Sequence, residues 1–285
     1  MTVKIVADST SDIPAQLAQE LGITVVPTYV VFGDKSYRDR IDITEDELYE
    51  KLVTNSVHPT TSVPSPQDFA DVYNKLAKET DEILSIHLTS KESGVYNSAL
   101  LGKELVEKRC RIEVIDSLSL AMSCGLLVIA AAREARAGAS LEQVVEVVRR
   151  SIPRTHLLIL MDTLKYVVRG GRLGKGYGLL GSVLRVKPLL TLRDGKLLLA
   201  GIVRNRAKGI MRLQEFVEGF PKLREIAVSY STERDEAEKL AENIKASFPQ
   251  APLYLTRVGP VLGTHGGPGA MGVAVRDAED DTEQG

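Results

Sequence analysis

Val3-Lys4-Ile5-Val6-Ala7-Asp8-Ser9-Thr10-Ser11-Asp12-Ile13-Pro14 is the stretch on which the fold can be decided. Val3 to Ala7 is an apolar run of strand length that ends abruptly in carboxylates and hydroxyls. Such a run fits a strand covered on both faces, with polar groups gathered at its carboxyl end and a capped helix start behind them. A helix over Ala15 to Leu21 closes at Gly22, and Thr24 to Phe32 reads as one further β-rich run before a Gly33-Asp34 turn.

The same grammar recurs downstream. Ile83 to Leu88 runs into Thr89-Ser90, and Ile112 to Ile115 into Asp116-Ser117. Helices lie between these strands. Thr44 with Glu47 and Ser140 with Gln143 are capping boxes, and Ser65-Pro66 opens a helix carrying Phe69, Val72, Tyr73 and Leu76 on one face. A long small-residue helix is expected from Leu118 to Ala137, closing at Gly138. Alternating strands and helices, each strand ending in Asp, Ser or Thr, predict an α/β fold with a parallel sheet and a ligand crevice at its carboxyl edge.

From His156 the texture changes. A strand to Met161 precedes a glycine-rich run, Arg169 to Gly176, and Lys187 to Leu192 and Lys196 to Ala200 flank Asp194-Gly195, a hairpin signal. A helix from Asn205 to Gly219, a strand at Ile226 to Tyr230, a helix from Arg234 to Ser247 and strands at Leu253 to Val258 and Met271 to Val275 complete a second, mixed α/β unit. The expected layout is therefore an N-terminal α/β domain over 1–153, a C-terminal α/β domain over 154–276 and a disordered acidic tail over 277–285.

At 285 residues, two domains of ordinary size can each bury a core. The 44% hydrophobic and 26% charged composition is that of a soluble protein, and no apolar run approaches the roughly 20 residues of a membrane span. The first residues lack a signal-peptide layout, so a cytoplasmic location is expected. Cys110 and Cys124 have neither disulfide-framework nor zinc-site spacing, and no metal is expected. Charge is uneven: Thr163 to Arg212 carries twelve Lys or Arg against Asp194 alone, while Asp277 to Gly285 carries five acids and no base. The basic segment reads as a surface for an anion, which could be a phosphate, a nucleic acid or an acidic protein.

Three features could carry chemistry. His58 to Pro66, His-Pro-Thr-Thr-Ser-Val-Pro-Ser-Pro, is a rigid polar loop whose prolines keep the hydroxyls of Thr60, Thr61 and Ser62 out of a helix. It is either a stiff connector or a binding loop. Ser93-Gly94 opens a hydroxyl-rich helix, and His265 lies among glycines and a proline, where packing is not its purpose. Neither Gly-x-Gly-x-x-Gly after a strand nor a Lys-Ser/Thr phosphate loop is present, which argues against a kinase site in this chain. Ser93 and His265 could form a serine esterase pair, but no Gly-x-Ser-x-Gly elbow surrounds Ser93. Hydroxyls and an imidazole can equally hold a carboxylate. A nucleic-acid-binding regulator would use the basic segment, where Tyr166 and Tyr177 are the only aromatics.

Asp8-Ser9-Thr10-Ser11-Asp12-Ile13-Pro14, Thr60-Thr61-Ser62-Val63-Pro64-Ser65, Ser93-Gly94-Val95-Tyr96-Asn97-Ser98-Ala99, Leu164-Lys165-Tyr166 with Arg169-Gly170-Gly171-Arg172, and His265-Gly266-Gly267-Pro268-Gly269-Ala270 together resemble the DegV family of bacterial fatty-acid-binding proteins, in order from about residue 3 to 276. The resemblance implies two α/β domains with a long-chain fatty acid such as palmitate, stearate or oleate between them, its tail in an apolar tunnel. It implies carboxylate contacts from Thr61, Ser62, Ser93, Gly94 and His265, and a partner fatty acid kinase that phosphorylates the bound acid to acyl-phosphate. Arg172 and Arg204 would meet that kinase. No cofactor, no nucleic acid and no catalysis by this chain are implied, and a membrane would be touched only transiently at its surface. Two positions depart from the family pattern: Val95 stands where the family usually has Thr, and Glu92 where it often has Leu.

Overall fold

The computed structural model describes residues 2–54, 57–107, 110–173 and 186–278. In the first half, β1 (Lys4–Asp8), α1 (Ala15–Leu21), β2 (Ile23–Val26), β3 (Tyr29–Phe32), β4 (Lys35–Arg38), α2 (Glu45–Thr54), β5 (Thr60–Ser62), α3 (Pro66–Leu76), β6 (Glu82–His87), α4 (Val95–Glu104), β7 (Arg111–Asp116), α5 (Ala121–Arg136) and α6 (Leu141–Ser151) follow one another. β2, β1, β6 and β7 form a parallel sheet in that order. Its strands are apolar on both faces, as Ile5, Val6, Ile83, Leu84 and Ile86 are all buried, because helices cover both sides.

The run Thr24 to Phe32, expected as one strand, is two. It breaks at Pro27-Thr28, where the Thr28 amide donates to Ser9 Oγ (3.0 Å) and its carbonyl accepts from the Asp39 amide (2.8 Å). Pro27 has no amide with which to continue the ladder. β3 instead joins a small antiparallel sheet in the order β4, β3, β5. The loop expected at His58 to Pro66 therefore contains an edge strand, with Thr61 opposite Val30. The extended geometry imposed by the prolines is what a strand requires.

The second half comprises β8 (Thr155–Leu160), α7 (Lys165–Arg169), β9 (Lys187–Arg193), β10 (Lys196–Val203), α8 (Arg206–Glu218), β11 (Leu223–Tyr230), α9 (Arg234–Ser247), β12 (Leu253–Arg257), α10 (Pro260–Gly266) and β13 (Met271–Asp277). Its mixed sheet runs β10, β9, β8, β13, β11, β12. Only β11 and β12 pair in parallel. Asp194 and Gly195 both have positive φ (50° and 77°), the hairpin turn between β9 and β10 that the sequence signalled. Asp277, assigned in sequence to the acidic tail, closes β13 and accepts from His156 Nε2 (3.1 Å). Residues 279–285 of the tail, and residues 174–185 of the basic segment, lie outside the described residues.

What joins the halves is α5. Of its 16 residues, 13 are buried, so it has no solvent face. One side meets Ile5, Ala7 and Leu84 of the parallel sheet and the other meets Leu157, Ala227 and Ala274 of the mixed sheet, all in one continuous core with Val144 and Val148 of α6. Small side chains suit a helix packed on two sides. Gly125 shows the constraint: a Cβ there would lie 2.5 Å from the Ser11 carbonyl oxygen. The helix starts at Ala121, three residues later than expected, because Leu118 and Ala121 have positive φ and Ser117 to Leu120 form a hydroxyl-bonded turn. At the far end Arg133 pairs with Glu225, a 1% exposed carboxylate of β11 that Arg276 also holds (2.6 Å).

Candidate functional site

The carboxyl edge of the parallel sheet is organised by Asp8. Its Oδ1 accepts from the Thr10 amide and hydroxyl, and its Oδ2 accepts from the Leu88 amide (3.2 Å) and pairs with His87 Nδ1 (3.0 Å). Burial works against the charge, but the hydrogen bond and charge of His87 hold the Asp8 carboxyl below its usual range. His87 Nε2 continues to Ser85 Oγ (2.7 Å), which accepts from Tyr73 Oη (2.8 Å). The set is a Ser-His-Asp chain by composition, yet Ser85, His87 and Asp8 are all 0% exposed. No substrate reaches Ser85, so the chain is a support for Thr10, which lines the cavity described next. Sequence reasoning missed it, because Tyr73, Ser85 and His87 read as ordinary elements of a helix and a strand.

A cavity of about 1100 Å³, counting its open mouth, lies between the two sheets. The first half contributes Leu88, Val95 and Leu120 and the second Leu157, Ile159, Leu190 and Met271, so most of the wall is apolar. Thr61, Ser62, Glu92, Ser93, Arg172 and His265 are among its polar side chains, together with Thr10, Thr28 and Ser229. Thr61 and Ser93 come from separate segments joined by one bond: Ser98 Oγ of α4 donates to the Pro64 carbonyl just after β5. Thr61 Oγ1 and His265 Nε2 then share a hydrogen bond of 2.9 Å. Two of the residues singled out in sequence therefore touch, although 204 positions separate them.

His265 sits in α10, in a stretch to which the sequence assigned no regular element, with Pro260 at its first turn. Its ring packs against α7. A Cβ on Gly170 would lie 2.2 Å from His265 Nδ1, and a Cβ on Gly267 would lie 2.1 Å from the Tyr166 ring. These glycines are absent side chains, each making room for an aromatic ring on the facing helix. Burial, followed by the charges of Arg172 and His58, pushes the His265 imidazole down to about 3. It is neutral at physiological pH, and Nδ1 has no hydrogen-bond partner among the described residues. Without an acid on Nδ1 among the described residues, the Ser93 and His265 pair lacks the third member that would orient a base. Ser93 Oγ itself accepts from the Val95 amide (3.4 Å).

Arg172, expected on the surface that meets a partner, lines the cavity, its Nη1 donating to the Gly170 carbonyl (2.6 Å). Gly171 in the left-handed region (φ 75°) turns the chain so that this is possible. Gly94 precedes α4, is exposed and does not line the cavity. Arg204 is exposed on the turn between β10 and α8, away from it. Glu92 is a wall residue: its Oε1 accepts from the Leu197 amide (2.9 Å), and burial raises its pKa. Some cations of the basic segment pair with acids that flank it, Lys187 and Arg206 both with Asp162 (2.8 and 3.2 Å) and Arg212 with Glu215 (2.8 Å). Among the described residues, no cluster of three or more His, Cys, Asp or Glu could hold a metal ion, and no helix is long and apolar enough to cross a membrane.

Two α/β units enclosing an apolar cavity with a hydroxyl and imidazole end define a class of small-ligand-binding proteins. The chain belongs to the DegV family: the family model described as "Uncharacterised protein, DegV family" matches residues 2–277. It is 38% identical to a DegV domain-containing protein of Caldanaerobacter subterraneus, over 95% of this chain and 97% of that one. Among solved structures it is similar to a DegV family protein from Thermus thermophilus described by its fatty acid binding, with a TM-score of 0.89 and 33% identity over 98% of this chain and 100% of that one. It is similar also to a stearic-acid-binding protein from Eubacterium ventriosum, with a TM-score of 0.88 and 28% identity over 96% and 98% of the two chains.

Proposed function

We propose that this protein binds one long-chain fatty acid, with its tail in the cavity between the sheets and its carboxylate among Thr61, Ser93 and His265. The observation that carries the reading is the meeting of a largely apolar cavity with the Thr61 and His265 hydrogen bond in its wall. Each buried CH₂ contributes about 0.8 kcal/mol, so a palmitate-length tail outweighs the partial desolvation of one carboxylate held by two or three hydrogen bonds. Thr61 and Ser93 hydroxyls can donate to it, and Ser62 stands beside them on the wall. Arg172 supplies a positive charge at the same side. The fatty acid binding of the Thermus thermophilus and Eubacterium ventriosum proteins supports the reading.

The chain is a carrier without turnover of its own, acting in the cytoplasm. It presents the bound carboxylate to a fatty acid kinase subunit, which converts it to an acyl-phosphate for phospholipid synthesis; Arg204 and Arg172 belong to the docking surface. Mass spectrometry of lipid extracted from the purified protein tests the first part. A stoichiometric long-chain acid is expected, and ligand-free protein that also refuses added palmitate would sink the proposal. Thr61→Ala and Ser93→Ala should each weaken palmitate by about 1–3 kcal/mol, the cost of an unmade buried hydrogen bond. Unchanged affinity in both removes the head-group assignment. For the second part, Arg204→Ala is expected to slow acyl-phosphate formation by a partner kinase while palmitate affinity is unaltered.

A further inference from the structure

The structure assigns a further role to Asp12 and Asp39: we infer that they are positioning residues for the head-group site, acting through the segment that leads into α10. The inference rests on the fatty-acid reading above. α10 carries His265, and Val258, Val261 and Leu262 of the same stretch line the cavity. That stretch is held from the first half of the chain by consecutive bonds. Thr256 Oγ1 donates to the Asp12 carbonyl (2.9 Å), Arg40 Nη2 to the Arg257 carbonyl (2.6 Å) and Tyr49 Oη to the Val258 carbonyl (3.2 Å). The Gly259 amide donates to Asp12 Oδ1 (3.0 Å) and the Val261 amide to Asp39 Oδ1 (3.4 Å). Pro260 between them has no amide, so the two carboxylates meet the leading donors of the helix. Gly259 leaves no slack, since a Cβ there would lie 3.0 Å from Asp12 Oδ1 and 3.1 Å from Arg40 Nε. Asp39 is also bound by Ser9 Oγ (2.7 Å) and approached by Thr28 Oγ1 (3.4 Å), and Thr28 is itself a wall residue of the cavity.

Asp12 is an expensive way to hold a loop. It is 0% exposed, has φ 53°, and leaves Oδ2 with no hydrogen-bond partner among the described residues. Arg40 (3.0 Å), Asp39, Glu45 and Tyr49 face it. Burial raises its carboxyl to about 7 against the pull of Arg40. With the folded value above the unfolded one, its contribution to stability is present at low pH and lost as pH rises through about 7. A purely structural Asp12 would therefore be matched or bettered by Asn at alkaline pH. Asn could offer an oxygen to the same two donors, the Arg40 guanidinium and the Gly259 amide, which both meet Asp12 Oδ1, but it lacks the negative charge with which the ionised carboxylate pulls on them.

The test is the palmitate affinity of the full chain and of Asp12→Asn at pH 6 and pH 8, with the melting temperature of each. At pH 8 the variant should bind about fivefold more weakly, the low end of coupling between linked sites, with a melting temperature no lower than wild type. At pH 6, where Asp12 is largely protonated, the difference should shrink towards none. Asp39→Asn provides a second variant if Asp12→Asn does not fold, and it should weaken palmitate at both pH values. Equal palmitate binding by wild type and variants at both pH values overturns this inference alone, as does loss of affinity that simply tracks a fall in melting temperature. Wild-type protein that binds no palmitate overturns the fatty-acid reading, and this inference with it.

Discussion

His265 is neutral in the folded protein because burial and the charges of Arg172 and His58 oppose its protonation. It can serve a carboxylate as a hydrogen-bond donor through one nitrogen without becoming a cation. The unfolded imidazole takes up its proton near pH 6.5 and the folded one near 3, so the unfolded state binds the extra proton in between. Stability from this group is accordingly lost as pH falls from about 6.5 towards 3. His265→Gln should flatten that part of the acid-unfolding curve followed by circular dichroism; an unchanged curve contradicts the burial. Gly170 is the companion test. Its missing Cβ makes room for the imidazole, so Gly170→Ala should displace the ring and weaken palmitate about as much as His265→Ala does, read by titration with a fluorescent fatty acid. Wild-type affinity in Gly170→Ala would mean that the ring position is immaterial.

Among elements, the hairpin of β9 and β10 is what closes the cavity against the first half of the chain. Thr89 Oγ1 donates to the Gly195 carbonyl at its tip (2.9 Å), the Leu197 amide donates to Glu92, and Leu190 and Leu197 face the cavity. Glu92, the departure from the family pattern, thus latches the hairpin. Glu92→Leu removes the acceptor and should leave the Leu197 amide exchanging faster with deuterium, at a stability cost of about 1 kcal/mol. Exchange as slow as in wild type would show that another group holds the hairpin. α5 carries the opposite lesson, that of a helix with no room. Gly125→Ala drives a methyl against the Ser11 carbonyl and should cost about 1–3 kcal/mol in chemical denaturation, the usual price of overpacking.

At the scale of the molecule, the two α/β units share one core through α5 and α6, unlike domains that meet over a small polar surface and move independently. Thermal unfolding should accordingly show a single transition by calorimetry and by near-ultraviolet circular dichroism. Bound palmitate should raise its midpoint by mass action, since only the assembled sheets form the cavity. Two separated transitions would mean that α5 does not couple the halves.

Much of this was legible in the chain itself. Strand and helix positions followed from apolar period and from caps such as Ser65 with Pro66 and Ser140 with Gln143, because those signals act between neighbours in sequence. The motifs of Thr61, Ser93 and His265 were visible as hydroxyls in proline- and glycine-marked loops and an imidazole among glycines. What only the tertiary structure decided was their company. The break at Pro27-Thr28 depends on Ser9 and Asp39, the helix at Pro260–Gly266 on Asp12, and the inward course of Arg172 on a turn at Gly171. The Tyr73, Ser85, His87 and Asp8 chain depends on strand register. Local propensity is written within a few residues, whereas a bond across 204 positions exists only once two sheets have closed on a common helix.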